Sequence, residues 1–181
     1  QKLLSYITLE NKIEDIYDLT KLRKKPKRTN SRRKGNNFEN KVCKILNARF
    51  NTDEFCRAPG SGAFATTHTL PKHLQIYGDL ITPQNFRFTI ECKKGYNKQN
   101  FSHLFNYDSD IWKFVHQAER DARKADKEPL VVYQQDRQPI FCIAPLGIFP
   151  GSAMVRLTGK SRDWEMRELD ELLSYDDSLW L

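Results

Sequence analysis

Apolar positions along the chain alternate between helical and extended spacing. In residues 36–50, Phe38, Val42, Ile45, Leu46 and Phe50 recur at three- and four-residue intervals, which predicts a helix. Phe55–Ala58 reads as a short strand, ended by the turn-forming run Pro59-Gly60-Ser61-Gly62. Residues 63–76 read as a loop. Tyr77–Thr82 and Phe86–Lys93 read as two strands joined across Pro83-Gln84-Asn85. Residues 94–107 have no clear period and read as a loop. A long helix then starts at a cap on Asp108 or Ser109 and runs to about Lys127, with Ile111, Val115, Ala118, Ala122 and Ala125 as its apolar stripe. Pro129 is expected to stop it, and Leu130–Tyr133 and Ile140–Ile143 follow as strands. Beyond Pro145 the chain reads as loop-rich, with a short acidic helix near Asp163–Leu173 and an acidic, aromatic tail to Leu181. The order α-β-β-β-α-β-β predicts an α/β fold, a central mixed sheet flanked by helices. The expected organisation is an N-terminal extension over residues 1–34, a core over 35–145 and a C-terminal extension over 146–181. Residues 1–20 carry apolar positions suited to one or two short helices.

Charge changes this picture at one place. The chain of 181 residues has 30 Lys+Arg and 23 Asp+Glu. Nine basic residues and no acidic one fall between Lys21 and Lys34, including Lys24, Lys25, Arg28, Arg32 and Arg33. Without those nine, 21 basic residues face 23 acidic ones, so the basic character is local. Such a block is an arm that touches nucleic acid, or else a linker or localisation signal. Four cysteines, Cys43, Cys56, Cys92 and Cys142, form no CxxC pair. Together with four scattered histidines they supply no zinc site, and they imply no disulfide. Reduced thiols, mostly in the core, point to a cytoplasmic protein. There is no apolar run long enough to cross a membrane, and Gln1–Glu10 lacks the pattern of a secretory signal.

Candidate chemistry lies on the predicted helix and hairpin. At about 100° per residue, Val42, Cys43, Leu46 and Phe50 fall within roughly 60° of Glu39, so Glu39 points along the buried stripe. A buried carboxylate needs an Arg or Lys partner or a metal; the other reading is a snorkelling Glu eased by the helix N-terminus. In Phe86–Lys93, apolar Phe86, Phe88, Ile90 and Cys92 alternate with Arg87, Thr89, Glu91 and Lys93, so Glu91 and Lys93 share one face. A three-residue hairpin loop places Asp79 opposite Glu91; a two-residue loop places it on the other face unless a bulge intervenes. Neighbouring carboxylates repel, a hard divalent cation relieves the repulsion, and an adjacent Lys stabilises charge on a phosphate. The bland alternative is a surface salt bridge on an exposed sheet face.

Gly78-Asp79, eleven intervening residues and Glu91-Cys92-Lys93 resemble the PD-(D/E)XK nuclease superfamily. With RRKGNNFENKVCKILNARF before them, then FCRAPGSGAF, GDLI and FTIECKK, the chain order is similar to that of archaeal-type Holliday junction resolvases and their viral relatives. The resemblance covers roughly Arg33 to Tyr133. It implies a restriction-endonuclease-like core and Mg²⁺-dependent hydrolysis of DNA, with Mn²⁺ able to substitute. Asp79, Glu91 and the main-chain carbonyl of Cys92 would hold the metal, and Lys93 would position or activate the attacking water. Glu39 would bind the same metal through water, or a second one, and Ser61 would contact phosphate or water. Arg57 and Lys34 would meet the DNA backbone, and Gln117 would reach the site from the second long helix. Gly78 stands where the family has a nominal Pro, and the link between Gly62 and Asp79 is longer than in archaeal members.

The leading expectation is therefore a homodimeric, junction-resolving endonuclease acting on branched DNA, as in a phage, with Phe101, Leu104, Phe105, Tyr107 and Trp112 as interface candidates that could equally cover the core. The alternatives are a restriction-like or end-processing nuclease on the same fold, a non-catalytic DNA-binding module, and a basic-arm RNA-binding protein. The last lacks an aromatic RNP-like strand pattern.

Overall fold

The computed structural model describes residues 30–59 and 76–181. The readings made for residues 1–20, for Lys24, Lys25 and Arg28, and for Ser61 and the loop around it lie outside the described residues. Helix α1 (Ser31–Phe50) begins five residues earlier than the periodicity indicates. Short strands β1 (Cys56–Arg57) and β2 (Leu80–Ile81) follow, then β3 (Phe88–Lys94). A 3-10 turn at Phe101–Phe105 leads into α2 (Asp110–Ala125), which starts after Ser109 and ends at Asp126 in the left-handed region. Four further strands are β4 (Glu128–Gln134), β5 (Phe141–Pro145), β6 (Val155–Leu157) and β7 (Trp164–Glu168), and a short α3 (Leu169–Leu172) closes the set.

The main sheet has the order β3-β4-β5-β7-β6, with β3 at one edge. β3 and β4 are parallel and every other pair is antiparallel, so the sheet is mixed. A parallel pair needs a crossover, and α2 is that crossover. Strand alternation separates two cores. Phe88, Ile90, Cys92, Leu130 and Val132 face α1 with Phe38, Val42, Cys43 and Leu46. Val131, Tyr133, Ile143, Trp164 and Met166 face α2 with Ile111, Trp112, Phe114, Val115 and Ala118. Odd-numbered Thr89, Glu91 and Lys93 consequently point to the α2 side.

Pro129 does not mark the end of the helix; it lies inside β4. Glu128 donates its N–H to Arg87 on the β3 side. By alternation the nitrogen of Pro129 faces β5, where the ladder begins only at Val131, so no hydrogen bond is lost.

Three expectations are corrected. The first is the hairpin. β2 pairs with β1, Cys56 opposite Ile81 and Arg57 opposite Leu80, in a separate two-stranded sheet. The start of β3 is bound instead by the C-terminus, since Arg87 donates its N–H to the Trp180 carbonyl at 2.7 Å. Gly78 turns the chain at φ +79°, and a Cβ there would lie 2.6 Å from the Ile90 carbonyl oxygen. That close approach suits glycine alone. The second concerns Asp163–Leu173, whose first half is strand β7 and whose helix is confined to α3 at Leu169–Leu172. Trp164 and Met166 face the α2 core, while Glu165 and Arg167 are buried on the opposite face. Period two was hidden because its second face is an ion pair. The third is the C-terminal extension drawn at residue 146. β6 and β7 hydrogen-bond into the sheet, and Trp180, fully buried, packs on Phe50, Phe86, Phe88 and Phe149. Leu104 and Trp112 also cover the core; Phe101, Phe105 and Tyr107 stay exposed.

Arg167 is the polar centre of the C-terminal region. Its guanidinium donates to Glu165 at 2.9 Å, Glu171 at 2.9 Å, Tyr175 at 3.0 Å and the Gly151 carbonyl at 3.1 Å. Arg167→Met leaves Glu165 buried without a cation and should cost about 3–5 kcal/mol in urea unfolding. Replacing both residues by Met should cost less than that single change; an equal or larger loss would refute the ion-pair account. Gly78→Ala should cost about 2 kcal/mol or more by the same measurement, because it adds left-handed strain and a backbone clash.

Candidate metal-dependent hydrolytic site

The site wraps around the exposed edge of β3. Ile90 and Cys92 turn their main-chain groups away from β4, and Asp79 binds both. Its N–H donates to the Ile90 carbonyl at 2.8 Å, and its Oδ2 accepts the Cys92 N–H at 2.8 Å. Asp79 therefore straddles Glu91 at the strand edge without a regular hairpin. Ala58 donates its N–H to the Asp79 carbonyl at 2.9 Å, which ties the β1 segment to the same point.

Glu91 and Lys93 lie on the α2 side of β3. Glu91 is buried, and the Lys93 ammonium donates to its Oε1. The same ammonium donates to Gln117 Oε1 at 3.3 Å and sits 5.4 Å from the centroid of the Phe114 ring. Gln117 and Phe114 are on α2, so the crossover helix positions Lys93. Burial, then the charge of Asp79, pushes the Glu91 carboxyl up to about 8, against the pull of Lys93. Burial works against the Lys93 charge too, but Glu91 and Asp79 overcome it and hold the ammonium above its ordinary value.

Glu39 approaches from the α1 side. It is buried, as the helical arithmetic requires, and Arg57 Nη1 lies 3.7 Å from its Oε2. Burial and then Asp79 push its carboxyl up, while Arg57 and Lys93 offset part of this. Glu39 thus has an arginine partner and also feels the Asp79 charge. Glu39 Oε2 and Glu91 Oε2 are buried and accept no hydrogen bond. Even with Arg57 and Lys93 nearby, two oxygens without hydrogen bonds beside a third carboxylate gain from a further cation.

Of the other residues singled out from sequence, Arg32 and Arg33 are exposed on the first turn of α1. Lys34 is ion-paired with Asp136 at 2.7 Å. Asp121, not anticipated, belongs to this neighbourhood. Burial pushes its carboxyl up, Lys124 and Arg120 oppose that, and Asp79 adds to it. It lies four residues after Gln117 on α2, so both share a helix flank. That spacing was readable once Gln117 was placed at the site.

Among the described residues, no three Asp, Glu, His or Cys side chains converge closely enough to cage a metal by themselves. Mg²⁺ does not require a cage: it is commonly bound through one or two carboxylates and keeps several waters. The unsatisfied oxygens and the all-oxygen donors fit such an ion.

Comparison with known proteins agrees with this geometry. Residues 30–156 match the family described as "Phage putative PDDEXK endonuclease". The chain is also similar to Protein D14 of Escherichia phage T5, 34% identical over 112 residues, which is 59% of this chain and 66% of that protein. The match spans just under two thirds of that relative's length. No solved structure gives a significant match. PDDEXK nucleases generally use divalent metal ions, in keeping with carboxylates gathered at a sheet edge beside a lysine. With its α/β core, its Asp79…Glu91-Cys92-Lys93 set and a family match over residues 30–156, the chain belongs to the phage PDDEXK endonuclease family.

Proposed function

We propose that the protein is a Mg²⁺-dependent DNA endonuclease, acting on branched DNA and resolving four-way junctions. The observation that carries the hydrolytic reading is Asp79 docked on the Cys92 N–H, beside Glu91 and Lys93. Asp79, Glu91 and the Cys92 carbonyl, which leaves β3 on the same edge as its N–H, would hold the metal. Mn²⁺ would substitute, being another oxygen-seeking divalent ion. When bound, the ion supplies Lewis-acid polarisation of the phosphodiester.

The protein's own groups do the rest. Lys93, held by Glu91, Gln117 and the Phe114 ring, presents a fixed positive charge to the phosphate and to the attacking water. Glu39 supplies a further carboxylate from the other side of the strand, with Arg57 restraining it. Ser61, Arg32, Arg33 and the basic residues Lys24, Lys25 and Arg28 would contact DNA, with Lys34 joining on release from Asp136. The four-way junction is proposed on the similarity of the motif order to that of junction resolvases. Cutting it on two strands favours a symmetric dimer, for which exposed Phe101, Phe105 and Tyr107 offer an apolar patch.

The direct test presents labelled four-way, flap and linear duplex DNA side by side, with Mg²⁺. The four-way substrate should be cut most readily, at two symmetry-related positions. Asp79→Asn should reduce cleavage by about 10²-fold or more while DNA binding persists. Near wild-type cutting by that variant would remove Asp79 from the site, and equal cutting of linear duplex would favour a restriction-like or end-processing enzyme.

Glu91 also predicts a pH dependence. Its folded pKa lies above its unfolded value, so its contribution to stability is complete below about pH 4.5 and is lost as pH rises towards about 8. The metal-free melting temperature should fall over that window, and Mg²⁺ should restore it most at the alkaline end. Glu91→Gln should flatten both trends; an unchanged profile in that variant would assign them elsewhere.

A further inference from the structure

Next to the catalytic edge lies a cleft of about 440 Å³, lined by Tyr77, Leu80, Thr82, Thr89, Lys124 and Lys127 among others. Its lining residues continue the segments that carry the site. Leu80 follows Asp79, and Thr89 precedes Glu91 by two residues on the same face of β3. On α2, Gln117, Asp121 and Lys124 are spaced four and three apart, so one helix flank runs from Lys93 to the cleft.

One cation in this cleft lacks a partner suited to it. Lys127 Nζ donates to Thr82 Oγ1 at 3.0 Å and to the Pro83 carbonyl at 3.1 Å, both neutral acceptors. An ammonium has three hydrogens, and no carboxylate among the described residues lies within ion-pair distance of this one. The adjacent Glu128 is engaged by Arg162 at 3.3 Å. Burial alone holds the Lys127 ammonium below its ordinary pKa, with no anion offsetting it. Thr89 is 4% exposed, and its hydroxyl has no hydrogen-bond partner. The Thr89 hydroxyl is sealed in the wall, whereas Lys127, a half-buried cation with a spare donor lining the cleft, suits a phosphate oxygen.

We propose that this cleft binds a phosphodiester of the DNA strand flanking the scissile one, with Lys127 as its charge partner and Lys124 at the mouth. This rests on the reading of the protein as a DNA endonuclease. The spacing is compatible. Two strand residues from Glu91 to Thr89 span about 7 Å, on the order of two base rises along DNA. A strand whose target phosphate lies at Glu91 and Lys93 therefore carries its second phosphate along at the level of Thr89, over the cleft. The acidic stretch from Glu91 to Asp121 separates Lys93 from Lys124 and Lys127, so the two phosphates meet two distinct cationic points.

The test measures DNA binding without cleavage, in Ca²⁺, across a salt series. It uses four-way DNA carrying one methylphosphonate, moved in turn through the positions around the cut. Lys127→Gln should lower the slope of log K against log salt by about 0.9, the value for one lost phosphate contact. One methylphosphonate position should weaken wild type yet leave Lys127→Gln unaffected, and Lys127→Arg should recover the wild-type response. If Lys127→Gln is destabilised but stays as sensitive as wild type at every position, Lys127 merely braces Thr82 and Pro83 and the proposal is overturned. Wild type that binds no DNA at all would instead overturn the endonuclease reading, and this proposal with it.

Discussion

The site depends on one hydrogen bond, from the Cys92 main-chain N–H to the Asp79 carboxylate. β3 is an edge strand, so alternate main-chain groups have no neighbouring strand to satisfy them. Asp79 takes one with its side chain and another with its own N–H. An unpaired strand edge thereby becomes the anchor that fixes a carboxylate against Glu91. Gly78 makes this possible, because any larger residue would meet the Ile90 carbonyl just where Asp79 must approach.

The edge also explains how carboxylates from separate elements gather there. α1 packs on one face of β3 and brings Glu39; α2 packs on the other and brings Gln117 and Asp121 next to Glu91 and Lys93. The strand lies between them, and Asp79 reaches its rim. Burial raises the energy of each charge, and mutual repulsion adds to it. The result is an acidic pocket with unsatisfied oxygens, relieved in part by Lys93 and Arg57, which a divalent ion can complete.

The C-terminal third supports this arrangement from a distance. Trp180 fills an aromatic cluster beneath the start of β3, and its carbonyl takes the Arg87 N–H. Arg167 holds β7, α3 and the loop at Gly151 together through charge-assisted hydrogen bonds. The strand that carries Glu91 and Lys93 therefore has its beginning braced by Trp180, from the far C-terminal end of the chain.

Much of this could be read before any coordinates. The α1 period put Glu39 on a buried stripe, and the alternation of Phe86–Lys93 put Glu91 and Lys93 on one face. Both patterns are set by backbone geometry within a few residues, so sequence carries them directly. The charge block at Lys21–Lys34 is likewise a local property. Other features required the folded chain. Whether residues 77–82 pair with β3 or only touch it depends on Cys56–Arg57 pairing with β2 and on Trp180 taking the Arg87 N–H. Glu165 and Arg167 read as exposed until each supplies the other's counter-charge, which disguised a buried strand as an acidic helix. Asp121 gains its meaning only from the Asp79 charge it feels, and Lys127 only from the cleft it lines. Sequence fixes periodicity, because periodicity is local; it does not fix which distant groups desolvate one another, and that desolvation creates the site.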